Sequence, residues 1–114
     1  MQDEFEGIGA LRERVYALMA CLPADKVTTY GDLAALAGSP RAARIVGGVA
    51  HTGPLELPWH RLVNAKGGLA AGFPGGREVQ RQLLAQDGIL CEEWRVVDFT
   101  HLRWRPEVGA RQWS

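Results

Sequence analysis

Apolar residues recur at helical spacing in three parts of the chain. Residues 8–21 place one apolar stripe on a single face and are followed by Pro23, so they predict an amphipathic helix. A second helix is predicted over 30–37, with a threonine as its N-cap and Gly38 just after its last residue. A third is predicted over 77–87 and ends at Gly88. The positions predicted to face inward are Ile8, Leu11, Val15, Leu18, Met19 and Leu22 in the first helix, Leu33, Ala34, Leu36 and Ala37 in the second, and Val79, Leu83 and Leu84 in the third.

A further helix is predicted over 41–50, because Ser39 and Pro40 have the residue types of an N-cap and a first helical residue. With the helix before it, this helix has the outline of a helix-turn-helix. Arg41 and Arg44 interrupt a set of small residues that would let its backbone come close to whatever it faces. Tight packing against another helix explains the same small residues equally well. They are Ala42, Ala43, Gly47 and Gly48.

Short extended segments are predicted in the second half of the chain. Residues 59–63 and 69–70, separated by a glycine-rich turn, predict a small hairpin in the position of a wing. Residues 72–76 form a flexible loop, and 89–114 are expected to pack back on the domain as one or two extended segments. The predicted fold class is therefore mainly α with a small β-hairpin wing, a winged helix-turn-helix over 1–114 as a single domain.

Composition and charge narrow the function classes. With 114 residues, 46% hydrophobic and 23% charged, the chain resembles one globular domain, which argues against disorder or a disulfide scaffold. Thirteen basic residues balance thirteen acidic ones, and this total alone argues against a nucleic-acid or membrane-surface protein. The total conceals a gradient, with a net charge of −3 over 1–40, +4 over 41–81 and −1 over 82–114. Eleven of the basic residues are arginine, which suits phosphate and base recognition, although the base composition of the gene can produce the same bias.

Neither cysteine has the sequence context of a metal ligand. Cys21 and Cys91 lie in no C-x-x-C pattern, so we expect two reduced, buried thiols, no metal and no cofactor. No apolar run approaches the ~20 residues that span a bilayer, and the acidic first residues argue against a signal peptide. The expected location is the cytoplasm, with association to the nucleoid in a bacterium, and no membrane partner is expected.

Four short motifs follow one another in a fixed order: V-T-T-Y-G at 27–31, A-A-R-I-V-G at 42–47, P-W-H-R-L-V at 58–63 and L-L-A-Q-D-G at 83–88. In this order and spacing the chain resembles the DNA-binding, active-site domain of the O6-alkylguanine-DNA alkyltransferases. That family carries V-x-x-Y, A-A-R-x-V-G, P-C-H-R-V and L-L-x-x-E-G. The resemblance covers about residues 8–90 and leaves 91–114 as a C-terminal extension.

One position departs from the family pattern. Trp59 stands where the alkyltransferases have the cysteine that accepts the alkyl group, and an indole cannot replace a thiolate nucleophile. The chain therefore looks like an alkyltransferase-like protein, the branch with Trp at this position, and is not expected to be an enzyme. The resemblance implies a monomer that binds O6-alkylguanine in duplex DNA, flips the lesion without repairing it and marks it for nucleotide excision repair proteins.

The resemblance also implies roles for residues that face DNA. Arg44 matches an arginine that fills the space left by the flipped base, and Tyr30 matches a tyrosine that crowds the phosphate. Small residues around Arg44 would let the helix enter the minor groove, whose degenerate code suits a protein that reads damage rather than sequence. Thr28 and Thr29 are candidate phosphate contacts. The complete set of expected DNA-binding residues is Thr28, Thr29, Tyr30, Arg41, Ala42, Ala43, Arg44, Gly47, Arg61 and Lys66.

By the same resemblance, the extruded base enters a pocket between the P-W-H-R loop and the 72–76 loop, with Trp59 as its floor. Backbone carbonyls of Trp59 and Leu62 would accept the guanine amine. Phe73 and Pro74 match a Tyr-Ser pair, and Pro74 lacks the hydroxyl and N–H that would contact the lesion oxygen. The expected pocket residues are Tyr30, Pro58, Trp59, His60, Leu62, Phe73 and Pro74.

His60 and Asp87 match a His-Glu relay that activates the cysteine in the alkyltransferases. Without a thiol we expect them to remain as a structural hydrogen-bonded pair, a vestige of that relay. Arg61 is expected to fasten the loop by hydrogen bonds more than to read bases, and His51 is given no role.

Two alternatives from other classes stay open. A small winged-helix regulator would read a specific DNA sequence, although the second helix of the motif has few side chains long enough for a major groove. A residual enzyme would use Cys21 or Cys91 as a relocated alkyl acceptor, or His60 for hydrolysis.

Overall fold

The computed structural model describes the backbone of residues 2–106 and the side chains of residue 7 and of residues 9–106. The chain begins with α1 (Gln2–Cys21), followed by β1 (Thr28–Thr29), α2 (Tyr30–Leu36) and α3 (Ala43–His51). After a 3-10 turn at Trp59–Arg61 come β2 (Leu62–Val63), α4 (Arg77–Gln86), β3 (Cys91–Glu92), β4 (Arg95–Val96) and α5 (Phe99–Leu102). The architecture is mainly helical with short strands, as the sequence predicted. Trp113 and the end of the predicted C-terminal segment lie outside the described residues.

The main core lies between α1, α2 and α3. The predicted stripe of α1 is buried there, apart from Ile8, whose side chain lies outside the described residues. The helix itself begins at Gln2 rather than at residue 8, because its polar first residues carry no apolar stripe that would reveal them. Leu36 is only half-buried. The apolar residues that fill this core are Leu11, Val15, Leu18, Met19, Leu22, Leu33, Ala34, Ala37, Ala42, Val46, Val49 and Leu62.

The turn between α2 and α3 differs from the prediction. Gly38, with φ of 90°, ends α2 as expected, and the N–H of Ser39 donates to the carbonyl of Ala34 at 2.8 Å. Ser39 therefore completes the C-terminal cap of α2 and does not cap α3. The helix α3 begins at Ala43, with Ala42 as an N-cap that makes no side-chain hydrogen bond.

The predicted wing at 59–70 was also wrong. Strand β2 pairs in parallel with β1, with Thr28 opposite Leu62 and Thr29 opposite Val63. The hairpin of the fold is instead β3–β4, and Gly68 pairs with Arg95 as an extra antiparallel bridge beside it. The two residues between the strands, at 93 and 94, have φ of 50° and 65°, which is the backbone of a type I′ turn. This turn lacks the Asn-Gly or Asp-Gly pair that marks such a hairpin in a sequence.

The C-terminal segment packs back on the domain, which confirms the expectation for residues up to 106. Val27 donates its N–H to the carbonyl of Leu102 at 3.0 Å and accepts the N–H of Trp104 at 2.9 Å. Next to these bonds, Arg103 binds both oxygens of Asp32 in α2, at 2.7 and 2.8 Å. The segment thereby ties the start of the helix-turn-helix to the end of the described chain.

Replacement of Arg103 by Met is expected to lower the free energy of unfolding by about 1–2 kcal/mol at neutral pH, because it removes a partly buried charged pair. Burial raises the pKa of Asp32, but the hydrogen bonds and charge of Arg103 outweigh burial and hold that pKa below its ordinary value. The pair therefore stabilises the fold above the ordinary carboxyl pKa, and the contribution is lost as the pH falls through the lowered value. Urea unfolding at neutral and acidic pH checks this: a difference between wild type and variant that stays constant would contradict it.

Candidate functional site

A cavity of about 380 Å³ lies between α3, the 3-10 turn and the 72–74 loop. This volume is within the range of small-ligand sites. The lining includes six of the seven pocket residues predicted from the sequence, and Pro58 is the exception among the described residues. The full lining is Tyr30, Gly47, Ala50, His51, Gly53, Leu55, Leu57, Trp59, His60, Leu62, Ala70, Gly72, Phe73 and Pro74.

Trp59 is held in place at one wall of the cavity. Its Nε1 donates to the carbonyl of Pro54 at 2.7 Å, and its ring meets Tyr16 edge to face, with ring centroids 6.2 Å apart. A Cβ on Gly53 would lie 2.4 Å from Cζ2 of the indole, so only glycine leaves room for the ring there. The sequence identified Trp59 but not these three neighbours, because their contacts depend on the path of the loop over 52–58.

His60 and Asp87 form the expected pair, with Nε2 and Oδ2 2.6 Å apart. Arg61 adds its Nε 3.4 Å from the same carboxylate oxygen and donates Nη1 to the carbonyls of Leu22 and Pro23. The Arg61 side chain is 11% exposed, and these contacts confirm that it fastens the loop, while its place among the DNA-binding residues stays a prediction.

Gln80 joins the two walls of the cavity, and the sequence did not single it out. Its Nε2 donates to the carbonyls of His60 and Leu62, both at 3.1 Å, and its Oε1 accepts the N–H of Ala70 at 2.8 Å. The apolar pattern had predicted Val79 as the inward residue, but Val79 is exposed and Gln80 is fully buried. Gln80 lies one turn before buried Leu84, and this spacing was the signal that could have identified it.

The third wall is the face of α3 that carries Gly47 and His51. A Cβ on Gly47 would lie 3.9 Å from the ring of Tyr30, which is an ordinary van der Waals distance, so α3 runs directly beside that ring. Burial raises the pKa of Tyr30 above its ordinary value. Arg44 is exposed on this face one turn before Gly47, since residues three and seven apart share a helix face. His51, which was given no role from the sequence, lines the cavity.

The remaining predicted DNA contacts divide by exposure. Arg41 and Lys66 are exposed, and Ala43 is half-buried. Three other residues have buried side chains, so their expected contact with DNA stays a prediction that would have to use the backbone: Thr28, Thr29 and Ala42. The hydroxyl of Thr29 instead accepts the N–H of Asp32 at 3.0 Å, which confirms the threonine cap of α2.

The thiols lie elsewhere in the fold. Both are free, and neither belongs to the described lining of the cavity. Cys21 is exposed at the end of α1, so the expectation of a buried thiol was wrong there, and Cys91 is half-buried in β3. Burial raises the pKa of Cys91 despite the opposing charge of Arg81, which makes it a weaker nucleophile. Over residues 2–106 no group of three or more His, Cys, Asp or Glu is placed to hold a metal ion, and no helix there is long and apolar enough to cross a membrane.

Comparison with known proteins connects this geometry to a family. Residues 10–89 match the family described as 6-O-methylguanine DNA methyltransferase, DNA binding domain. The chain is 41% identical over 105 residues to the DNA base-flipping protein of Escherichia coli K12, covering 90% of this chain and 81% of that protein. It is 34% identical over 79 residues to alkyltransferase-like protein 1 of Schizosaccharomyces pombe, covering 67% and 73% respectively.

A solved structure agrees with these matches. The S. pombe protein Atl1 in complex with damaged DNA containing O6-carboxymethylguanine superimposes with a TM-score of 0.73 at 27% identity, over 84% of this chain and 95% of that one. The family match covers more than half of the chain and includes every residue that lines the cavity, from Tyr30 to Pro74. The chain therefore belongs to the family of the 6-O-methylguanine DNA methyltransferase DNA-binding domain, and within it is similar to the DNA base-flipping and alkyltransferase-like proteins.

Proposed function

We propose that this protein binds O6-alkylguanine in duplex DNA from the minor groove, rotates the lesion into the cavity and holds it there without transferring the alkyl group. The observation that carries the proposal is that Trp59, which by the motif resemblance takes the place of the family's cysteine, lines a cavity of a size suited to a small ligand. The names of the relatives, a base-flipping protein and an alkyltransferase-like protein, support the same function.

Absence of alkyl transfer follows from the residues around the cavity. Transfer requires a thiolate placed against the alkyl carbon, and the described lining contains no cysteine. His60 and Asp87 keep the contact of a relay, but the described lining of the cavity offers no thiol for it to activate. The site therefore binds the lesion and leaves it chemically intact.

Base rotation is the step that Arg44 and Tyr30 assist. A base in a duplex cannot reach a cavity without leaving the stack, at a cost of a few kcal/mol. Arg44 projects from the same face of α3 as the cavity residues Gly47 and His51, so a helix in the minor groove would bring it to the position that the base vacates. The ring of Tyr30 at the cavity edge would stand against the rotated nucleotide.

A protein that holds a lesion without removing it must pass it on, and the proposed recipients are nucleotide excision repair proteins. Incision of an O6-alkylguanine duplex by purified excision proteins should rise when this protein is added. The same mixture with an undamaged duplex serves as the control, and an unchanged incision rate on the damaged duplex would count against the hand-off alone.

Binding to matched duplexes with O6-methylguanine or guanine at one position tests the function itself. We expect the damaged duplex to bind at least about tenfold more tightly, because only its base gains the apolar contacts of the cavity. Equal affinity would favour a winged-helix regulator and contradict the proposal. Incubation with radiolabelled methylated DNA addresses the enzyme alternative, since label on the protein would demonstrate transfer.

A further inference from the structure

The lining of the cavity has no charged side chain among the described residues, which is unusual for a site proposed to receive a DNA base. No lysine, arginine, aspartate or glutamate is among the described residues of its lining. Its polar side chains are those of Tyr30, His51, Trp59 and His60, and the indole N–H is already bonded to the carbonyl of Pro54. Whichever way the O6 group of a bound guanine points inside this cavity, it therefore meets no permanently charged partner.

An apolar extension lies at the mouth of the cavity. Leu55 belongs to the lining, yet it is 93% exposed, while Leu57 beside it packs against the core. The loop that carries Leu55 is shaped by Pro54 and Pro58, and the carbonyl of Pro54 is fixed by the indole of Trp59. An exposed leucine held at a cavity mouth has apolar surface that only a bound group can cover.

We propose that this protein selects extended, uncharged O6-alkyl groups and discriminates against anionic ones, with Leu55 as the specificity residue. The inference rests on the proposed function and names the substrate class of the same site. A branched or longer alkyl chain gains contact with Leu55 that a methyl group is too short to make. A carboxylate in the same place loses water and gains no cationic partner.

The cation behind His60 already has partners. The Nε of Arg61 lies 3.4 Å from Oδ2 of Asp87, and its Nη1 donates to the carbonyls of Leu22 and Pro23. A carboxylate in the cavity would therefore find no unpaired counterion in Arg61. The solved complex of Atl1 contains O6-carboxymethylguanine, so relatives need not share the preference proposed for this chain.

The experiment compares four duplexes that differ at one guanine. Its O6 is unmodified in the reference and carries a methyl, an isobutyl or a carboxymethyl group in the others. Isobutyl and carboxymethyl have the same number of heavy atoms, so their affinity ratio measures the exchange of an uncharged apolar group for an anionic one. We expect isobutyl to bind about tenfold or more tightly than carboxymethyl at a pH where an ordinary histidine is neutral. Equal affinity for the two, with preference over guanine retained, overturns this inference and leaves the proposed function standing.

Two variants assign the effect to Leu55. Leu55→Arg places a cation at the mouth and should raise the affinity for carboxymethyl relative to isobutyl by about tenfold. Leu90→Arg is the matched control, because Leu90 is also exposed and lies outside the cavity lining, so it adds the same charge without the same position. An equal change of this ratio in both variants would mean that a cation at position 55 has no special access to the O6 group, and would overturn the role of Leu55. If the wild-type protein binds none of the O6-modified duplexes more tightly than the guanine duplex, the proposed function itself is refuted.

Discussion

Replacement of Gln80 by Leu should both destabilise the fold and abolish the preference for a damaged base. The change leaves the N–H of Ala70 and the carbonyls of His60 and Leu62 without the partner that they have in the native structure. Each unsatisfied buried group costs about 1–3 kcal/mol, with carbonyls at the lower end, so we expect a loss of about 2–4 kcal/mol in the free energy of unfolding. Urea unfolding measures this loss directly.

The effect on binding has a separate origin. The partners of Gln80 on its two sides, His60 and Ala70, line the cavity. Loss of these hydrogen bonds is therefore expected to let the two walls move apart. Lesion preference should therefore fall even at temperatures where the variant is fully folded. Gln82→Leu is the control on the same helix. Its amide bonds to exposed Glu78, so the change should alter the free energy of unfolding by less than about 0.5 kcal/mol. A Gln80 variant with wild-type stability and lesion preference would show that the amide does not organise the site.

Gln80 also illustrates where a sequence is informative about this fold. The period of apolar residues located α4 and its end at Gly88, because helix formation and termination depend on neighbours in the chain. The same period predicts Val79 as an inward residue, because it considers only apolar side chains. The buried residue is the next one, Gln80, whose side chain is an amide. A polar residue in a core is recognised by its partners, and these come from segments 10 to 20 residues away.

The strands show a related limit. The sequence predicts an extended segment that includes 62–63, and the structure confirms it. The predicted partner, residues 69–70, is the nearest extended segment along the chain. In the structure the 62–63 segment pairs in parallel with β1, more than thirty residues earlier, with Thr28 opposite Leu62. Parallel pairing leaves no turn signal between the two strands. The location of the pocket was predictable because its loops carry family motifs, whereas the fit of Trp59 against Gly53 was not.

Charge along the chain gave the least direct information about the surface. The middle segment carries six basic residues, but Arg61 is turned inward, Arg81 pairs with Glu78, and Arg77 lies 4.8 Å from the ring centre of Trp94. Part of the local excess therefore serves the fold. Arg41, Arg44 and Lys66 remain in this segment to neutralise phosphates, so we expect binding to undamaged DNA to be weak and only moderately dependent on salt.

Arg44→Ala should weaken binding to a lesion duplex by about 10–100-fold, while binding to undamaged duplex falls only by the loss of one charge. Arg44 is exposed on the α3 face that also bears Gly47 and His51, so we expect its guanidinium to fill the space of a rotated base. Arg41→Ala removes the same charge from the turn before the helix and should reduce both affinities equally. The slope of log affinity against log salt concentration should fall by about one phosphate contact. Titration of both variants against damaged and undamaged duplexes separates the roles. If Arg44→Ala lowers the two affinities by the same factor, Arg44 is a phosphate contact like Arg41, and the base is stabilised outside the stack by the cavity alone.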